Sequence, residues 1–322
     1  MKKSLLITLV MAAMLGCGAV ASRPHWADLA IGTERWLSDL HPKQIEVDGH
    51  VVHYLDNEAS DKPVLLLLHG FGADADNWTR FARQLDHDYR IIAPDLPGFG
   101  ATGYQPTQHY GLQSQVARLK ALVDKLGIQR FHLVGNSMGG YIAAEFAVRY
   151  PDQLSSLGLF DAAGVDMPVK SPFYHSAMAG KNLLLVSKRE DVDKIFQLVF
   201  HVEPFIPGFM REHYAERQMK MRDGQARIFE EIFGPRDWLE NRLSRITVPT
   251  LIMWGDRDKV VDPSSIPLFQ AGIRQSVVEV IPDCGHLPMV EQPAEAARRF
   301  RRFLQNLPAT PNRSATAPPH LS

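Results

Sequence analysis

An apolar run at 131–134 ends on Gly135-Asn136-Ser137-Met138-Gly139, and a helical pattern at 138–149 begins with no loop between them. A strand that passes straight into a helix must turn within one residue. Backbone crowds against backbone at such a turn, so a side chain at either flanking glycine would clash. The arrangement demands a strand held in a sheet with a helix packed back upon it. It leaves Ser137 at the point of greatest strain.

The rest of the chain follows the same rhythm. Residues 64–68 are continuously apolar, as expected of a strand buried on both faces. Further strands are expected at 90–93, 154–160, 250–254 and 277–281, with a helix at 113–126. Residues 44–47 and 50–55 flank Asp48-Gly49 as a hairpin. The pattern implies an α/β chain with a mostly parallel sheet and helices on both faces. It breaks between 166 and 246, where strand-like runs are few and seven of the chain's sixteen Phe gather. Phe196 and Phe200, and Phe229 and Phe233, are spaced as on one helix face. This stretch is expected to be a helical cap inserted after the sixth major strand and kinked at Pro204-Phe205-Ile206-Pro207. A chain of 322 residues suits one large domain carrying such an insertion.

Lys and Arg number 35 against 36 Asp and Glu, which leaves no basic footprint for nucleic acid. Two cysteines, Cys17 and Cys284, cannot build a disulfide framework, and no metal-ligand spacing is present. The N-terminus has the form of an export segment: Lys2 and Lys3, then an uncharged apolar stretch over 4–22. Three outcomes are open. Cleavage after Ala21 would free a soluble secreted protein. Lipidation at Cys17, within Leu15-Gly16-Cys17, would tether it. An uncut anchor would approach the ~20 residues that span a bilayer. The last two give a membrane-associated protein facing the periplasm. Trp26, Leu29, Ala30, Thr33, Trp36, Leu37 and Leu40 then recur at helical spacing, which suits either a membrane interface or packing on the body of the protein. The expected organisation is 1–22 signal or anchor, 23–43 amphipathic juxtamembrane helix, 44–165 with 247–307 as the core, 166–246 cap and 308–322 disordered tail. The sequence carries no signal for oligomeric state.

A serine hydroxyl is a weak nucleophile and needs a positioned base. His286 is the candidate, because Cys284-Gly285-His286 follows the last strand at the edge where an open α/β sheet places its ligands. The imidazole in turn needs a carboxylate to fix its tautomer. Asp256, Asp258 and Asp262 are available after the strand at 250–254. Asp258 is preferred, since the first loop residues complete the turn and the later one can reach across; Asp256 is then a turn former. His69-Gly70-Phe71-Gly72 follows the strand at 64–68, so the N–H groups of Phe71 and Met138 are the expected oxyanion donors. His69 is expected to be structural, and the turn at 95–100 to support it. Phe200, Phe205 and Phe229 are candidates for an acyl pocket. No cofactor or metal is called for.

Taken together, the phrases HGFG, APDLPGFG, GNSMGG, WGDRD and CGH, in that order, resemble the α/β-hydrolase superfamily over roughly 50–304. Within it the chain is similar to bacterial lipases of the Moraxella and Psychrobacter type, to membrane-bound monoacylglycerol lipases and to an inner-membrane phospholipase A. The resemblance implies an eight-stranded α/β-hydrolase fold with a cap, and the triad Ser137, Asp258 and His286. It implies a serine carboxylic-ester hydrolase acting on acyl lipids, with a lipid or ester substrate and a membrane surface as partners. A small-ester or C–C bond hydrolase of the same fold is the alternative.

Overall fold

A computed structural model describes residues 23–85 and 88–307. The expected export segment at 1–22, Cys17 and the expected tail at 308–322 lie outside the described residues.

Helix α1 (Arg23–Leu37) leads into an eight-stranded sheet made of β1 (His41–Val47), β2 (His50–Asp56), β3 (Val64–Leu68), β4 (Arg90–Pro94), β5 (Phe131–Asn136), β6 (Leu154–Phe160), β7 (Thr250–Gly255) and β8 (Ser276–Ile281). The strand order is β1-β2-β4-β3-β5-β6-β7-β8, and a short helix α2 (Thr79–Ala82) lies between β3 and β4 in the chain. β2 runs antiparallel to β1 and β4, and all other pairs are parallel. β1 and β2 are joined at Asp48 and Gly49, with φ of 47° and 76°, the left-handed pair that matches strand twist in a two-residue hairpin. β1 starts at His41, earlier than the expected 44, and the helix expected over 23–43 stops at Leu37. Pro42 and Lys43 are poor strand formers, but an edge strand has no inner neighbour to satisfy on its free side and tolerates them.

Alternate residues of each strand face opposite sides. Leu66, Leu68, Ile92, Leu133 and Ile252 join one apolar core, under α3 (Leu112–Lys125) and α4 (Met138–Arg149). Leu65, Leu67, Ile91, Val134 and Leu251 join the other, with Trp78, Phe81 and Phe300. The last of these lies on the C-terminal helix (Pro293–Gln305). Burial on both faces explains why these strands are apolar runs without alternation.

Between β6 and β7, which are adjacent in the sheet, the chain leaves to form α5 (Pro172–Met178), α6 (Asp191–Val199) and the long α7 (Gly208–Phe233). The Pro204–Pro207 segment separates α6 from α7 without helix of its own. α1 packs on the body. Ala27 and Ser38 are buried, Ser38 Oγ donates to the Thr79 carbonyl at 2.7 Å, and Arg35 grips Asp76 through two hydrogen bonds of 2.6 and 2.8 Å. Its outer side keeps Leu29 and Trp36 about half exposed, at 50% and 46%. Among the described residues no helix is long and apolar enough to cross a membrane.

Candidate active site

Parallel strands deliver their loops to one edge, and the residues singled out in the sequence arrive there from β3, β5, β7 and β8. Ser137 lies between β5 and α4 with φ 53° and ψ −117°. That conformation is rare for a residue with a side chain and costs on the order of 1–3 kcal/mol, so the surroundings must hold it. They do. Ser137 N–H donates to the Phe160 carbonyl at 3.0 Å, and its carbonyl accepts from Tyr141 N–H and Ala163 N–H, both at 3.0 Å. A Cβ on Gly135 would stand 2.1 Å from the Gly139 carbonyl oxygen, and one on Gly139 would stand 2.4 Å from that of Leu68. Neither position can carry a side chain.

His286 sits beyond β8, its ring buried, with Nδ1 2.7 Å from Asp258 Oδ2. An ionised carboxylate there makes Nδ1 the donor and leaves Nε2 as the basic nitrogen. Asp258 Oδ1 accepts from the N–H groups of Val260 at 2.7 Å and Val261 at 3.1 Å, which fixes the carboxylate's orientation. Asp256 points elsewhere: it accepts the Cys284 N–H at 3.3 Å and ties the two loops. Asp262 caps a short turn by accepting the Ser264 N–H at 2.9 Å. Of the three acids, Asp258 is the one brought to His286.

The loop after β3 lies against the elbow, since a Cβ on Gly70 would be 3.3 Å from that of Ser137. Among the described residues, no hydrogen bond engages the N–H of Phe71 or of Met138. The second is one of the unpaired donors at the start of α4. His69 is fully buried: Nε2 accepts the Leu96 N–H at 2.9 Å and Nδ1 faces the Gly70 carbonyl at 2.8 Å. Burial lowers its pKa, so it is a neutral brace between two loops. Asp95 braces the same region by accepting from Ala75 N–H and Ala101 N–H, at 2.8 and 2.6 Å.

Ser137 opens on a cavity of about 300 Å³ walled by Phe71, Met167, Phe173, Phe229, Phe233 and Trp238. A second cavity of about 160 Å³ is lined by His286, Phe71, Phe196 and Phe200. Phe229 thus reaches the serine's cavity and Phe200 the histidine's. Phe205 reaches neither: it is 78% exposed and borders a groove of about 380 Å³ beside α1.

Three residues that sequence reasoning passed over also act here. Asn136 Nδ2 donates to the His286 carbonyl and to the Phe160 carbonyl, each at 3.1 Å, and so straps the histidine loop to the elbow. Gln218 of α7 donates to the Gly72 carbonyl at 2.9 Å, joining the insertion to the loop after β3. Asp161, the residue after β6, is fully buried near Asp258 and His286. Asp161, Asp258 and His286 are also the set of carboxylates and imidazole close enough to hold a metal ion among the described residues. Within that set, the bond between His286 Nδ1 and Asp258 Oδ2 joins two members, and Asp161 Oδ1 accepts the Gly255 N–H. The signal for Asp161 was present: an acid at the carboxyl end of a buried parallel strand, where ligand sites gather.

Residues 63–293 match the family described as alpha/beta hydrolase fold. The chain is an α/β hydrolase. Lipase 1 of Psychrobacter immobilis is 35% identical to it over 281 residues, covering 86% of this chain and 88% of the lipase. Monoacylglycerol lipase ABHD6 of Mus musculus is 30% identical over 78% of each chain. The crystal structure of a membrane phospholipase A, described as a bacterial virulence factor, superposes with a TM-score of 0.87 at 37% identity. It covers 96% of this chain and all of the phospholipase. This α/β hydrolase is accordingly a lipase- and phospholipase-like ester hydrolase, in keeping with the family resemblance and the eight-stranded sheet expected of it.

Proposed function

We propose that the protein hydrolyses carboxylic esters of acyl lipids through Ser137, His286 and Asp258. The observation that carries the reading is the 2.7 Å bond between His286 Nδ1 and Asp258 Oδ2, on a loop that Asn136 straps to the elbow where Ser137 is held at positive φ on the mouth of an apolar cavity. His286 Nε2 takes the Ser137 proton as Oγ attacks the ester carbonyl. The tetrahedral oxyanion collects the N–H groups of Phe71 and Met138, and one such donor is worth about 2.7–4 kcal/mol in the transition state. Collapse expels the alcohol, to which His286 returns the proton. Water, activated by the same imidazole, then releases the acid from the acyl-enzyme. Beyond the substrate and that water, each step uses side chains and backbone of this chain.

An acyl chain suits the serine's cavity because its walls are aromatic and aliphatic. The cap reading of the 166–246 segment belongs here: α5 and α7 supply Phe173, Phe229 and Phe233 to that wall. The half-exposed Leu29 and Trp36 on α1, just after the export segment, support a membrane-facing placement on the periplasmic side. The test is a substrate panel in which the full-length protein meets short p-nitrophenyl esters, monoacylglycerols, lysophospholipids and diacyl phospholipids in vesicles. The reading expects hydrolysis to favour long acyl chains presented in micelles or vesicles. Preference for acetyl esters with no action on aggregated lipid would overturn it in favour of a small-ester or C–C bond hydrolase.

A further inference from the structure

The reaction described above leaves one buried carboxyl beside the site without a task. Asp161 follows β6 directly, at φ 47°, and is fully buried. Its N–H donates to the Met253 carbonyl at 2.9 Å, and its Oδ1 accepts the Gly255 N–H, also at 2.9 Å, so it is fastened to β7 just before the loop that carries Asp258. Its other oxygen, Oδ2, is buried with no hydrogen-bond donor among the described residues. Polar atoms of Asp161, Asp258 and His286 all lie within 4.8 Å of one another.

Two carboxylates at that range in a dry site cannot both ionise without strong repulsion. Burial first, and then the charge of Asp258, holds the Asp161 carboxyl well above the usual carboxylate range, against the opposing pull of the Gly255 N–H. Glu291 adds further negative charge from the helix after His286, and the nearby Cys284 thiol is pushed up by burial and stays neutral. Asp258 already receives two backbone N–H groups and faces His286. It is the acid that must be charged, which leaves Asp161 as the one that is not. An oxygen with no donor ceases to be an orphan once it carries a proton, because it becomes a donor itself.

We propose that Asp161 is a positioning residue for the hydrolysis: it stays protonated and gives an O–H hydrogen bond to the Asp258 carboxylate, fixing that carboxylate against His286. The proton is shared and not transferred. The inference rests on the reading of Asp258 and His286 as the acid–base pair. The bond has a second consequence. It draws charge from Asp258 and so restrains the basicity of His286.

Asn is the discriminating substitution. Asp161→Asn offers an amide N–H where the O–H stood, keeps an acceptor for Gly255, and tolerates positive φ. Asp161→Ala removes donor and acceptor together. The full-length protein is assayed on a soluble short p-nitrophenyl ester, with kcat and KM followed across pH and Asp258→Asn measured alongside. D161N should stay within about tenfold of the parent in kcat, with the acid limb of the profile in place. D161A should lose about 10–100-fold in kcat with KM little changed, the loss expected for one hydrogen bond to a charged group. Its acid limb should move to higher pH. D161N as inactive as D258N would show that Asp161 works ionised and would overturn the proposal. So would D161A with the parent's kcat and profile. Should D161A fail to fold, D161N against D258N still decides. If D258N itself keeps the parent's activity, the acid–base reading has failed and the inference falls with it.

Discussion

The strand-end side of the site and the β6–β7 insertion are built on different principles. At the strand ends, hydrogen bonds to backbone groups do the holding. Ser137 is pinned through its own N–H and carbonyl, Asp258 by two N–H groups, and the glycines leave no room for a side chain. In the insertion, side chains do it. Phe229 meets Phe71, Phe173 and Phe233 at ring separations of 5.4, 6.1 and 4.9 Å, the edge-on and tilted contacts that rings prefer. Backbone geometry is shared by any sequence that makes the turn, whereas a wall of rings changes with each substitution. On the proposed mechanism the chemistry is therefore confined to the first region, and substrate choice can drift in the second.

The contrast is sharpest in the acids. D258N should lower kcat by roughly 10⁴, on the scale of the equivalent change in a serine protease, whereas D256N should cost less than about tenfold because it loosens one long hydrogen bond. Steady-state kinetics on a soluble ester reads both, and the reverse ranking would break the assignment of roles at the strand ends. A substitution in the insertion should act on selectivity. F229A removes a wall of the serine's cavity, and each methylene left unburied forfeits ~0.8 kcal/mol. The ratio of long-chain to butyrate kcat/KM should fall roughly tenfold, with the butyrate value itself nearly kept. The tie between the regions can be cut at Gln218. Q218A leaves the Gly72 carbonyl with only the longer bond from the Tyr214 hydroxyl, 3.3 Å, and should lower kcat for every ester by about three- to tenfold, the range for one neutral hydrogen bond. An effect on long chains alone would place Gln218 with the insertion. F205A should change acyl selectivity by less than about twofold, since an exposed side chain outside the cavity contributes little to it. A tenfold change there would erase the distinction between cavity and groove.

The two regions also differ in how legible they are in the sequence. Residues 64–68 and 154–160 have the expected bounds to the residue, because a strand buried on both faces has no alternation to blur its ends. Ser137 and His286 announce themselves through glycines that only a crowded turn requires. β1 did not, since Pro42 and Lys43 conceal an edge strand. The Phe excess told that the insertion is aromatic and nothing about which rings meet the serine. Helix spacing orders Phe196 against Phe200, and Phe229 against Phe233, but the path of the segment at 201–207 sends Phe205 outward. Asp161 went unnoticed because its task depends on a residue 97 positions away, across β6 and β7.

The central claim is that Ser137 is the nucleophile, and the most direct test is the site of covalent capture. The full-length protein is treated with a fluorophosphonate, digested and mapped by mass spectrometry, with S137A treated in parallel. The account predicts a single adduct on Ser137, loss of ester hydrolysis in step with labelling, and neither adduct nor hydrolysis in a folded S137A protein. An adduct on another serine, or hydrolysis that survives in S137A, would contradict it.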